Sequence, residues 1–170
     1  MLGIIDKAAE YQMDGVDLHF THFESTDDSY LEEVKRACLK RGLHMCYIGV
    51  SNNFGKTGQD LHDEIKLMKK WIDVASIIGI PMIRAFGSWI PDGESEESAW
   101  PRLVASTKEV ANYGKSKGVY VGLHNHNHGC IPATGEQVIR LLDDVDNPYY
   151  SHILDTGQYR GSPGASFGER

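Results

Sequence analysis

The chain is poor in cysteine. It has three, Cys38, Cys46 and Cys130, an odd number with no C-x-x-C spacing. That argues against a disulfide framework or a cysteine-based zinc knot, and for a reducing compartment. Long apolar runs are missing too. The most apolar window, VASIIGIPMI, is broken by Gly79 and Pro81 and is too short to span a bilayer. The opening MLGIIDKAAEYQ lacks the basic segment and the unbroken apolar stretch of a signal peptide. A cytoplasmic protein with no membrane partner is therefore expected. Basic residues are scarce: 17 Lys and Arg stand against 24 Asp and Glu, for a net charge of −7. Nucleic acid is a poor partner for such a chain, and a small polar or neutral substrate a better one. There is no G-x-G-x-x-G, no Walker loop and no G-x-S-x-G, which removes most nucleotide-binding and serine-hydrolase readings.

What is present reads as one globular domain over residues 1–170, 41% apolar and 24% charged. One pattern recurs four times: an amphipathic stretch, a glycine, then an apolar strand. The joints are MDGVDLHF, KRGLHMCYIGV, IIGIPMIRAFG and SKGVYVGLH, with Gly15, Gly42, Gly79 and Gly118 expected as left-handed helix caps. A fifth strand, SHILD, follows DVDNPYY without the glycine. Strand starts fall near residues 16, 44, 81, 119 and 151, at the spacing that successive βαβ units need. Ser29 with Glu32 and Thr134 with Gln137 read as capping boxes. Leu61, Ile65, Met68, Ile72 and Ala75 form a stripe at helical spacing. The tail GSPGASFGER reads as loop. The fold class is α/β with a parallel sheet. An open doubly wound sheet and a (β/α)8 barrel both satisfy the alternation. A full barrel takes about 250 residues, so the barrel requires this chain to be a piece of one, truncated at both ends.

In either architecture the site forms at the carboxyl ends of the strands. Five of the eight histidines cluster there, His19, His22, His124, His126 and His128, with Ser51, Asn52, Asn53, Arg84, Trp89, Asp155 and Gln158. In GLHNHNHG, if the strand continues through the run, the three imidazoles share one face with Tyr120 and Gly122. Imidazole is the commonest protein metal ligand, and Asp155 at the end of the adjacent strand adds a carboxylate. That donor set suits Zn, Mn, Fe or Co better than Ca. A plainer reading makes the run a polar loop and Asp155 a turn cap. Cys130 follows a loop glycine with no base placed beside it, so a thiol nucleophile is not expected.

Taken together, GVYVGLHNHNHG and, some residues later, ILDTGQY, with SNNFG and MIRAFGSW, resemble the sugar phosphate isomerase/epimerase family. That is the xylose isomerase-like TIM barrel superfamily, with endonuclease IV-like enzymes and inosose dehydratases among its members. The resemblance implies a partial (β/α)8 barrel, roughly the family's strands two to six. It implies a divalent metal, Mn, Zn, Co or Mg, and a small carbohydrate substrate. Asp155 matches the family's aspartate ligand. His124 stands where the family has a ligating glutamate, and His126 matches the last residue of the family's E-N-H. Gln158 replaces a common histidine. On this resemblance His124 and Asp155 hold metal, His124 and His126 serve catalysis, and Asn52, Arg84 and Gln158 contact substrate. The implied reaction is isomerisation or epimerisation by proton transfer next to a metal-bound carbonyl. The family's last two ligands and one catalytic carboxylate lie on strands outside this sequence, so the isolated chain is expected to be poorly active or inactive. A non-catalytic sugar-binding or partner-binding half-barrel is the alternative. Endonuclease IV-like phosphodiester cleavage is disfavoured by the charge and by Gln158. Exposed edge strands make a homo-oligomer an expectation.

Overall fold

The computed structural model describes residues 1–161. The loop expected over the tail therefore lies outside the described residues, save for its first glycine, Gly161, in a turn. In chain order the elements are α1 (Leu2–Glu10), β1 (Gly15–His19), a 3-10 turn (Phe20–His22), α2 (Asp28–Lys40), β2 (His44–Gly49), α3 (Gly58–Ile78), β3 (Met82–Ala85), β4 (Ser88–Trp89), α4 (Glu96–Lys117), β5 (Tyr120–His124), β6 (Cys130–Ile131), α5 (Gly135–Val145) and β7 (Tyr150–Ile153). Five strands form one parallel sheet in the order β1-β2-β3-β5-β7, and β4 and β6 form an antiparallel pair.

That order decides between the two architectures. A doubly wound sheet reverses its strand order at a switch point, which puts helices on both faces. Here the order never reverses. Right-handed crossovers then lay every helix on the same side, as in a barrel wall. Burial agrees. Val16, Leu18, Ile48, Ile83, Ala85, Val121 and Leu123 point to the helices and are buried. Asp17, Tyr120 and Ser151 point to the other, inner face and are exposed. The fold is a partial TIM barrel of five consecutive βα strands.

Helices α2, α3 and α4 return to the sheet through the same backbone device. Leu43, Ile80 and Val119 donate their N–H to the carbonyls of Cys38, Ala75 and Gly114, five residues back. Gly42, Gly79 and Gly118 hold the left-handed residue between them, and the three donors are themselves buried. This is the Schellman closure, in which a glycine avoids the Cβ penalty and an apolar residue follows it inward. The first joint corrects the expectation for Gly15. Met13 closes on Ala8, and the left-handed residue is Gln12 (φ 56°). Gly15 already belongs to β1, where a Cβ would meet the His44 carbonyl oxygen at 2.6 Å. Its small size lets β2 approach, which is a different reason for glycine.

The α3 stripe forms as expected, with Ile65, Met68, Ile72 and Ala75 buried beside Trp71, Val74 and Ile78. Each fully buried large side chain there contributes about 1.5–3 kcal/mol. The Ser29–Glu32 box does not form, because α2 starts two residues earlier, at Asp28, with Asp27 in the cap position. Thr134 does cap α5, accepting from the Gln137 N–H, while Gln137 Oε1 accepts from Ala133, one residue before the cap. The reciprocal box belongs to Ser95 and Ser98 on α4. No helix among the described residues is long and apolar enough to cross a membrane.

Candidate active site on the carboxyl end of the strands

Three loops knit together above the strand ends. The Asn52 amide is buried and spent on backbone: its Nδ2 donates to the Phe86 carbonyl and its Oδ1 accepts from the Phe86 N–H. Asn53 Oδ1 accepts from the N–H groups of Gly55 and Trp89. A Cβ on Gly55 would lie 1.8 Å from the Trp89 carbonyl oxygen, and one on Gly87 would lie 1.9 Å from that of Ile131. These glycines let the loops after β2, β3 and β5 pack backbone on backbone, with the β4–β6 pair between them. Asn52, expected as a substrate contact, has no polar atom left for one; it fixes Phe86 in place.

The histidine run leaves the strand at its first member. The β5 ladder ends at His124, and His128 is left-handed (φ 56°) and exposed in the turn before Gly129. The three imidazoles therefore do not share a strand face. What the alternation builds instead is a buried layer of asparagines. Asn125 is fully buried, donates through Nδ2 to the Asp155 carbonyl, and accepts at Oδ1 from the Asp155 N–H and from His152 Nε2. Sequence reasoning passed over Asn125 and Phe86. The only signal for Asn125 was its place opposite the imidazoles.

The β5–β7 register sets His124 beside Ile153, two residues before Asp155. His124 Nε2 lies 3.1 Å from Asp155 Oδ2, at adjoining strand ends on the inner face. A carboxylate only accepts, so Nε2–H donates and Nδ1 keeps its lone pair. Nδ1 is buried without a protein partner. Burial and then the Arg84 charge push the His124 pKa down, and Asp155 only partly restores it, so the ring is neutral near neutral pH. Asp155 Oδ1 accepts from the Gly157 N–H, so this carboxylate also closes a turn. His126 donates Nδ1–H to the Asn127 carbonyl at 2.8 Å, which leaves Nε2 as the acceptor. Its ring packs 5.3 Å from Phe86 and 5.5 Å from Trp89. Phe86 also stands edge-on to His124 and carries the Arg84 guanidinium 4.4 Å over its face. Gln158 is half-buried, with Oε1 lacking a protein partner. His19 accepts from or donates to Thr21 Oγ1 at 2.7 Å, with burial and then Arg84 lowering its pKa. Cys130 is buried and its thiol is pushed up to about 12 by burial, so it is inert.

The neutral imidazole and carboxylate of His124 and Asp155 fit two positions of a divalent-metal site, in donor type and in closeness. Among the described residues no group of three His, Cys, Asp or Glu side chains converges. The pair by itself offers two donor side chains.

Comparison with known proteins agrees with this architecture. No curated protein matches the sequence. Among solved structures, D-psicose 3-epimerase with D-tagatose from Clostridium cellulolyticum H10 superposes with a TM-score of 0.79 at 18% identity, over 92% of this chain and 58% of that one. A xylose isomerase domain protein from Planctomyces limnophilus gives 0.75 at 16%, over 91% and 58%. The probable 3-DHS dehydratase AsbF from Bacillus anthracis, involved in petrobactin synthesis, gives 0.79 at 21%, over 98% and 62%. At these identities the likeness is one of fold, and this chain spans about three fifths of each relative's length. The family model for the xylose isomerase-like TIM barrel matches residues 5–164, so the chain belongs to that family.

Proposed function

We propose that this chain carries part of the site of a metal-dependent sugar isomerase or epimerase, acting on a ketose, sugar phosphate or polyol-derived ketone. The observation that carries the reading is the His124–Asp155 pair, 3.1 Å apart at adjoining strand ends on the inner face. A divalent ion held there would polarise a substrate carbonyl. His126 is the proton acceptor, because its Nδ1–H is tied to a carbonyl and its Nε2 lone pair is left over. Phe86 and Trp89 wall the site and keep water from the reacting carbon. Asn125 holds Asp155 at a fixed height. Two solved folds like this one are named as epimerases of D-psicose or D-allulose, which supports the substrate class.

One observation favours a second reading of the chain alone. Among the described residues only two donor side chains meet, and a partial ligand set binds metal weakly. On that reading the chain binds sugar without turning it over.

One experiment separates the two. The chain is incubated with D-fructose and Mn2+ in D2O, and the sugar is followed by NMR. Deuterium entering the carbon next to the carbonyl, abolished by His126→Gln, supports the isomerase reading. Saturation transfer from protein to sugar with no deuterium uptake supports the binding module. Neither signal would overturn both.

A further inference from the structure

The inner face holds a second cluster that the metal half-site does not use. It centres on Arg84. In the strand registers Arg84 stands between two glycines, Gly49 of β2 and Gly122 of β5. His19 of β1 aligns with the same Gly49. A methyl placed on Gly49 would lie 3.2 Å from Arg84 Nη2 and 3.2 Å from His19 Cδ2. The guanidinium and the imidazole thus meet above a bare stretch of backbone. Ser51 Oγ lies 3.4 Å from His19 Nε2, the ring atom next to Cδ2.

Two cation-forming groups packed together raise each other's cost, and a half-buried guanidinium adds its own desolvation. The protein does little to offset this. Arg84 forms no ion pair among the described residues, and its Nε is buried with no protein partner. The nearby carboxylates are turned elsewhere: Asp155 to His124, and Asp17 to Tyr47 and Cys46. The Phe86 ring recovers a part through its π face. An uncompensated cation in a chain of net charge −7 marks a place where the partner is not part of the chain.

We propose that the inner face where these side chains meet over Gly49 is an anion subsite, in which Arg84, with His19 and Ser51 beside it, holds the carboxylate or phosphate group of the substrate. The subsite rests on the sugar reading of the His124–Asp155 pair. Arg84 aligns with Gly122, and His124 is two residues further along the same strand, about 7 Å. A keto-sugar of a few carbons, anionic at one end, spans that distance with its carbonyl end at His124. The guanidinium fork suits either oxyanion, since both accept in parallel from two N–H groups.

The test uses the chain with 13C-labelled histidine, titrated with D-gluconate, D-fructose 6-phosphate and D-fructose. Both anions are expected to shift the His19 ring signals. Arg84→Gln should weaken that binding about tenfold or more. Arg84→Lys, which keeps the charge, should recover part of it. Gly49→Ala, which crowds the Arg84 and His19 side chains apart and leaves every charge in place, should weaken it as well. The anion whose affinity drops further in Arg84→Gln identifies the group, carboxylate or phosphate. No shift at His19 with either anion overturns the subsite, as does equal binding by parent and Arg84→Gln. The neutral ketose keeps the two readings apart. If D-fructose shifts His124 in parent and variant alike while the anions leave His19 unmoved, the sugar site stands and the anion subsite falls. If the anions shift His19 and no sugar reaches His124, the subsite stands and the sugar reading falls.

Discussion

The two ends of the same five strands are built by opposite means. At the amino end α2, α3 and α4 each close with one left-handed glycine, one Schellman bond and one buried apolar side chain. The closing bonds of those three joints are backbone to backbone and local. At the carboxyl end the loops are joined by asparagine side chains that reach across more than 25 residues, and glycines let carbonyls touch. Among the described residues, six of the eight buried polar atoms without a protein partner are there, on Arg84, Ser88, His124, Asn127 and Gln158. Unpartnered buried groups cost stability. One end of the barrel wall is thus closed by local backbone bonds, and the other is knit by long-range side-chain bonds and carries most of the unpartnered polar atoms found among the described residues.

The same substitution at both ends sharpens this contrast most. Gly87→Ala should cost about 3 kcal/mol in chemical denaturation, because the new methyl overlaps the Ile131 carbonyl and two loops must part. Next in size is Asn125→Leu, expected to cost about 2 kcal/mol by leaving the Asp155 N–H and the His152 ring unpartnered. It should also free Asp155, so that Mn2+ no longer broadens the signals of the loop after β7. Stability lost with metal response intact would make Asn125 merely structural.

At the other end, Gly118→Ala meets nothing within 4 Å and should cost only the left-handed strain, about 1 kcal/mol, with sugar and metal responses unchanged. Equal costs for the two alanines would erase the contrast. The smallest effect is in pH. Burial, first among the causes, lowers the pKa of His19, His124 and His152 below the ordinary 6.5, and all three stand at or beside the site end. The unfolded chain therefore binds more protons below 6.5. Stability should be complete above that value and fall as pH drops through the folded values. Replacing His152 with Gln should flatten that acid slope; an unchanged slope counts against its share.

This division also explains what the sequence made legible. Local signals survived: the α3 stripe, the joints at Gly42, Gly79 and Gly118, and the five strand starts all follow from periodicity and caps within a few residues. Non-local ones did not. The β4–β6 pair joins two-residue strands that no pattern marks. Asn52 looked like a substrate contact because its partner, Phe86, lies 34 residues away. The H-N-H-N-H alternation read as a strand, yet the left-handed His128 ends it early, and the asparagines, not the imidazoles, became the buried face. His124 beside Asp155 was legible, since neighbouring parallel strands end level with each other.

The central claim is that His124 and Asp155 form half of a metal site. Paramagnetic NMR tests it even where binding is weak. Mn2+ added in trace amounts should selectively broaden the His124 ring and the Asp155–Gly157 backbone signals, and His124→Gln or Asp155→Asn should each abolish the effect. Broadening spread evenly over surface carboxylates, or unchanged in both variants, would contradict it.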